Sequence, residues 1–113
     1  QSLRGMVEEI DFFTSFGHGD GSDHRKSLNI NTDGPSLLIT DLAIWKPDPI
    51  SKEFTVYSIH EGVTKQMVQD NCGWQVKFFE NLEVTKSPTE LELKTLRDLK
   101  ERTQRANLRK EDN

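Results

Sequence analysis

Four side chains able to bind metal ions or move protons crowd into seven residues of this sequence: His18, Asp20, Asp23 and His24. Imidazole nitrogens and carboxylate oxygens of this kind are ligands for zinc or non-haem metals. They sit among Gly17, Gly19 and Gly21, however, where neither helical nor strand periodicity fixes their directions, so no metal is expected there. The Gly-x-Gly-x-Gly run would also let backbone N–H groups approach an anion closely. It is followed by neither the Lys-Ser/Thr of a P-loop nor the helix of a dinucleotide fingerprint, and a plain flexible loop is the simpler reading.

Other reactive groups are more scattered. Glu8 and Glu9 beside Asp11 form a carboxylate group, but neighbours on a strand point to opposite faces and cannot converge on one substrate atom. Solvated or partner-facing charge is the better reading. Cys72 follows a short helix whose negative end disfavours a thiolate, which makes it a packing residue. His60 closes a strand, where a surface or capping role outweighs a ligand role. Trp45 and Trp74 stand at strand boundaries as core anchors. Composition and spacing give no catalytic constellation.

The elements that must position these groups follow from periodicity. Residues 6–14 are β-prone in their second half and predict a strand, followed by an irregular stretch over 15–35. Loops that long in a compact domain are usually functional or disordered. Residues 36–45 form a nearly continuous apolar run, expected as one strand covered on both faces. Phe54 to Ile59 alternates with period two and makes a hairpin with it. Thr64 caps a helix through about Asn71, with Val63, Met67 and Val68 inward and Gly73 closing it. Trp74 to Phe78 alternates as a further strand. Ser87-Pro88-Thr89-Glu90 is a capping box with proline at the first helical position. The helix it starts carries Leu91, Leu96 and Leu99 on one face and frays into solvent beyond Lys100.

Composition sets the outer limits. The chain has 113 residues and a formal net charge of −4, with a pI near 5.3, so nothing drives it globally toward nucleic acid or anionic lipid. One cysteine excludes an internal disulfide and fits a reducing compartment. No apolar run approaches the roughly 20 residues that cross a bilayer, and no signal peptide is visible. Hydrophobic residues make up only 33%, which predicts a thin core, a solvated tail or a missing partner. The chain opens on Gln1 rather than methionine, which points to a segment of a longer protein or a processed product. Four strands and two helices cannot cover both faces of a buried strand, so the fold is expected to be completed from outside.

Three segments together resemble a known family. Residues 5–17 (Gly5-Met6-Val7-Glu8-Glu9-Ile10-Asp11-Phe12-Phe13-Thr14-Ser15-Phe16-Gly17), residues 34–45 with Ile39-Thr40-Asp41-Leu42-Ala43, and His60-Glu61-Gly62-Val63-Thr64 followed by Asn71-Cys72-Gly73-Trp74 are similar to the C-terminal part of the β subunit of class I CoA-transferases. The β subunits of the glutaconate CoA-transferase group are the nearest in flavour. The resemblance covers about residues 5–80 and implies a partial three-layer α/β/α open sheet over residues 1–86, with a C-terminal helix and polar tail over 87–113.

The resemblance also implies a cytoplasmic enzyme that moves coenzyme A between an acyl-CoA and a small carboxylic acid through a glutamyl-CoA thioester, with a carboxylate as covalent nucleophile. The CoA thioester is then a substrate, and no cofactor is bound covalently. The family's glutamate belongs to the N-terminal half, so the implied partners are that half and an α subunit, and the chain alone is expected to be inactive. Gly5 stands where the family has a glycine-rich turn near the oxyanion, with Leu3 and Arg4 departing from the pattern. Gly17, His18, Gly19 and Asp20 match a loop on the substrate side. Two other readings are an acyl-CoA hydrolase on the same scaffold and a non-catalytic module binding an acyl-CoA or a protein; fold analogy does not choose among them.

Overall fold

A computed structural model describes residues 1–111. The elements run α1 (His24–Ser27), β1 (Leu38–Ile39), β2 (Ala43–Pro47), β3 (Phe54–His60), α2 (Lys65–Asp70), β4 (Phe78–Thr85) and α3 (Glu90–Glu111). The four strands form one sheet in the order β1-β2-β3-β4. β1 and β2 are antiparallel, β2 and β3 are antiparallel, and β4 joins β3 in parallel. This mixed sheet with flanking helices is a partial α/β domain, the fold class expected from the sequence.

The expected strand over 36–45 is broken. The Thr40 hydroxyl accepts the N–H groups of Leu42 and Ala43 at 3.2 and 3.1 Å, and the Thr40 N–H donates to the Ala43 carbonyl at 2.9 Å. A side chain that offers the backbone this local alternative turns the chain, so the apolar run becomes the hairpin β1-β2. Ala43 and Trp45 are buried, while Ile44 between them is half-buried and Ile39 is exposed. This chain therefore covers one face of β2 fully and leaves the other partly open. The expected β2-β3 hairpin is present, with an irregular register between Ile44 and Trp45.

α2 begins where expected, with the Thr64 hydroxyl accepting the Met67 N–H at 3.2 Å. Val68 is buried, but Met67 faces solvent. Gly73 does not close the helix in the left-handed region. Asn71 is the cap, its side chain donating to the Met67 carbonyl at 2.8 Å, while the Gly73 N–H donates to the Met6 carbonyl at 2.7 Å. The strand expected at Trp74 to Phe78 starts only at Phe78. Gln69 explains the delay: its amide donates to the Trp74 carbonyl at 2.9 Å and its carbonyl accepts the Val76 N–H at 2.8 Å, which satisfies that backbone without a ladder.

The capping box of α3 lies two residues later than expected. The Thr89 N–H donates to the Glu92 carboxylate at 2.9 Å and the Glu92 N–H to the Thr89 hydroxyl at 3.2 Å, the reciprocal arrangement that satisfies both helix-end donors. Ser87 is drawn away to the Glu61 carboxylate. α3 continues to Glu111 instead of fraying after Lys100. Residues 6–14, expected as a strand, form none.

The core is thin, as the composition predicts. Ala43, Trp45, Val56, Val68, Cys72 and Val76 are buried together, with Met6, Leu38, Phe54, Trp74 and Phe78 among the partly buried residues packed on them. The Trp45 and Trp74 rings lie 6.2 Å apart, in keeping with their anchor role. The accessible surface is 9358 Å², against about 6,300 Å² for a compact monomer of 13.0 kDa. The radius of gyration is 18.5 Å, where about 13 Å is usual for this length.

Candidate functional site

The glycine-rich segment is an ordered loop pinned to the tip of the β2-β3 hairpin. Gly21 has φ +84°, and a Cβ there would strike the Ser51 carbonyl. That same carbonyl accepts the Ser22 N–H at 3.0 Å. At Gly19 (φ +56°) a Cβ would collide with the rings of His24 and Phe16. These two glycines permit a backbone path and a close approach that other residues would block.

The N–H groups an anion would need are engaged within the loop. Gly19 donates to the Phe16 carbonyl and Gly21 to the His18 carbonyl, both at 3.0 Å, and Asp20 donates to His24 Nδ1 at 2.8 Å. The segment is therefore a closed turn rather than an open cradle. The Asp20 carboxylate lies 3.6 Å from the same nitrogen. The Phe16 ring packs edge-on to His24 at 5.0 Å.

Arg25 closes the loop at its far side. Its guanidinium donates to the Gly17 carbonyl at 2.6 Å, the Thr32 carbonyl at 3.0 Å and the Thr32 hydroxyl at 2.6 Å. His18 donates through Nε2 to the Pro35 carbonyl at 2.7 Å, and its ring leans on Phe54. Its Nδ1 is buried without a partner among the described residues. A cleft of about 560 Å³ opens beside this loop, lined by His18, Arg25, Lys26, Ile30, Ile50 and Lys52 among others.

Of the four loop residues expected on the substrate side, His18 lines that cleft and Gly17, Gly19 and Asp20 do not. Among the described residues no three His, Cys, Asp or Glu side chains come together as ligands of a metal ion. Glu8, Glu9 and Asp11 are exposed. The Gly5 N–H donates to the Ser2 carbonyl at 3.1 Å, and the space where a Cβ would stand is open.

A second junction was not legible as a site from single residues. His60 donates through Nε2 to the Thr40 carbonyl at 2.8 Å, and its backbone N–H donates to the Leu42 carbonyl at 3.0 Å. The β1-β2 turn is thus held against the end of β3. Gly62 (φ +82°) then turns the chain toward α2, and a cleft of about 330 Å³ lies between His60-Glu61 and Thr85-Pro88. The signal was present in the sequence as two separate motifs, Ile39 to Ala43 and His60 to Thr64, which meet here.

The fold is a partial α/β domain whose motifs resemble those of CoA-transferase β subunits, and comparison with known proteins finds the same likeness. The chain is 48% identical over 103 residues to the β subunit of a 3-oxoadipate CoA-transferase of Pseudomonas knackmussii, covering 91% of this chain and 40% of that protein. It superposes on the crystal structure of glutaconate coenzyme A-transferase from Acidaminococcus fermentans with a TM-score of 0.76 at 26% identity, over 85% of this chain and 37% of the other. Rhodococcus jostii IpdAB shares the fold, with a TM-score of 0.65 at 22% identity, over 85% and 38%. No protein-family model matches the sequence. The chain is thus similar, over most of its length, to part of a CoA-transferase β subunit, as its motifs imply, and spans about 40% of that relative's length. No helix among the described residues is long and apolar enough to cross a membrane.

Proposed function

We propose that this chain is the C-terminal part of a CoA-transferase β subunit that acts in the cytoplasm with an N-terminal half and an α subunit. The observation that carries the reading is the 48% identity over 103 residues to the 3-oxoadipate CoA-transferase β subunit. In the proposed reaction a glutamate outside this chain attacks the acyl-CoA carbonyl and displaces the CoA thiolate. The thiolate returns to the glutamyl carbonyl as a thioester and releases the acid, and an acceptor carboxylate reverses these steps. No residue here supplies the nucleophile, so the isolated chain turns over no acyl-CoA. The loop at Gly17 to Asp20 borders the substrate side, with His18 as its contact. For Gly5 to donate to an oxyanion, its N–H must leave the Ser2 carbonyl.

A chimera tests this. Residues 1–113 replace the matched segment of the Pseudomonas β subunit, and the product is assembled with that enzyme's partner subunit. Transfer of CoA to 3-oxoadipate is expected within about tenfold of the parent rate, a barrier change near 1.4 kcal/mol. A folded, assembled chimera with no transfer overturns the proposal.

A further inference from the structure

We infer that the cleft of about 560 Å³ between the glycine-rich loop and the tip of the β2-β3 hairpin is a binding site for a phosphate-bearing nucleoside. The backbone around it is unusual. Among the described residues the non-glycine residues at positive φ are Ser22 (+47°), Asn29 (+58°) and Lys52 (+65°), and all three line this one cleft. Left-handed backbone at residues other than glycine is costly and concentrates where ligands are clamped.

Lys52 carries the argument furthest. Its N–H donates to the Asp48 carbonyl at 3.0 Å, in a conformation that glycine would adopt without strain. What lysine adds is an ammonium group on the cleft wall, on a half-buried residue, with no ion pair or hydrogen bond among the described residues. Arg25 stands in the same lining. Three of its guanidinium N–H groups hold Gly17 and Thr32, which fixes the position of a cation that still has donors left over.

Lys26 is the third cation of the lining, and Asp23, 3.9 Å from its ammonium group, and Asp33 are the two carboxylates. Three cations against two carboxylates make the cleft net positive in a chain of net charge −4. Phosphate oxygens meet such donors in charge-assisted hydrogen bonds. Ile30, Pro49 and Ile50 supply an apolar wall. Ile50 is 83% exposed, and a planar base laid on it would take that surface out of water. The volume falls in the range of small-molecule sites.

Adenosine monophosphate and inorganic phosphate are the probes, titrated into the isolated chain and followed by backbone amide NMR. Saturable shifts over residues 18–33 and 49–52 are expected, with a Kd for the nucleotide at or below about 1 mM. Inorganic phosphate should bind at least about tenfold more weakly, because it leaves the apolar wall bare. Lys52→Glu is expected to weaken the nucleotide at least about tenfold. Lys52→Gly should weaken it comparably while raising the urea midpoint, since glycine relieves the left-handed backbone; the loss then belongs to the ammonium group and not to a damaged turn. No saturable shift, or unchanged affinity in both variants, overturns the inference. Shifts confined to α3, where Arg97, Arg102 and Arg105 stand exposed, mean adventitious attraction to a basic helix and overturn it as well.

The nucleoside phosphate can come from two sources, a free nucleotide or the nucleotide end of an acyl-CoA, and the second rests on the proposed function. Lys52→Glu in the chimera separates them. A KM for acyl-CoA raised at least about tenfold at unchanged kcat assigns the site to the substrate, and an unchanged KM assigns it to a free nucleotide; both uphold the site. A chimera that transfers nothing counts against the proposed function alone, because binding is read on the isolated chain.

Discussion

The imidazole of His60 and the carbonyl of Thr40 lie 2.8 Å apart although 20 residues separate them in sequence. Through this contact the turn of the β1-β2 hairpin is fastened to the last residue of β3. Thr40 is the centre of that turn, taking two N–H donors on its hydroxyl, so one histidine holds a turn that the threonine builds.

His60→Ala is expected to lower stability by about 1 to 2 kcal/mol, the usual consequence of leaving a partly buried carbonyl without its donor. His60→Gln, which keeps a side-chain N–H, recovers part of the loss. Urea unfolding followed by tryptophan fluorescence gives the midpoint shift, and an unchanged midpoint in His60→Ala would mean the contact holds nothing.

Gly21 and Gly62 share nearly the same backbone, φ +84° and +82°, but not the same surroundings. At Gly62 an added Cβ meets nothing, so Gly62→Ala carries only the left-handed penalty, about 1 kcal/mol. At Gly21 the methyl group also strikes a backbone oxygen, that of Ser51, which has no flexible end to move aside. Gly21→Ala is expected to cost at least about 1 kcal/mol more, as strain at a special backbone position does. Equal midpoints for the two variants would show that the loop lifts freely from the hairpin.

Much of this was legible in the sequence, and the misreadings share a cause. The β2-β3 alternation and the Thr64 cap follow from local pattern, and the structure contains them. The break at Thr40, the late start of β4 and the shifted cap of α3 arise where one polar side chain, Thr40, Gln69 or Glu92, satisfies backbone groups that periodicity assigns elsewhere. Residues 6–14 read as a strand because their side chains fit one, but the backbone bends there and no ladder forms among the described residues. The glycine run left an anion cradle open beside the simpler reading of a plain loop, and the pairing of its N–H groups with Phe16, His18 and His24 closes that cradle.

Asp48 gives the hairpin tip an acid-sensitive support. Its carboxylate accepts the Ser51 N–H at 2.8 Å and the Ile50 N–H at 2.9 Å, and these bonds, that of Ser51 foremost, hold its pKa below the ordinary 3.8. A carboxyl with a lowered folded-state pKa contributes stability above its unfolded value and loses it as pH falls through the folded one. The turn, and with it the Ser51 carbonyl that holds Ser22, should therefore loosen below pH 3.8. Asp48→Asn is expected to flatten that acid limb in a series of Tm measurements taken downward from about pH 6. A wild-type acid limb retained in the variant would assign it to other carboxyls.

Cys72 reports on the core itself. It is 5% exposed, among the buried residues around Trp45 and Val68, and burial pushes its thiol above the ordinary 9.0, partly offset by the Trp74 and Gly73 N–H groups. Both the small thiolate fraction and the covering side chains slow attack on a disulfide reagent. Native labelling at neutral pH is expected to be at least about a hundredfold slower than in urea, limited by local opening. Val68→Ala empties space in the same cluster, lowers stability by about 1 to 3 kcal/mol and should speed labelling in proportion if opening and unfolding are one event. Fast labelling of the native wild type would mean that the thin core opens without unfolding, and the six-residue cluster would then not be the cooperative unit that the packing implies.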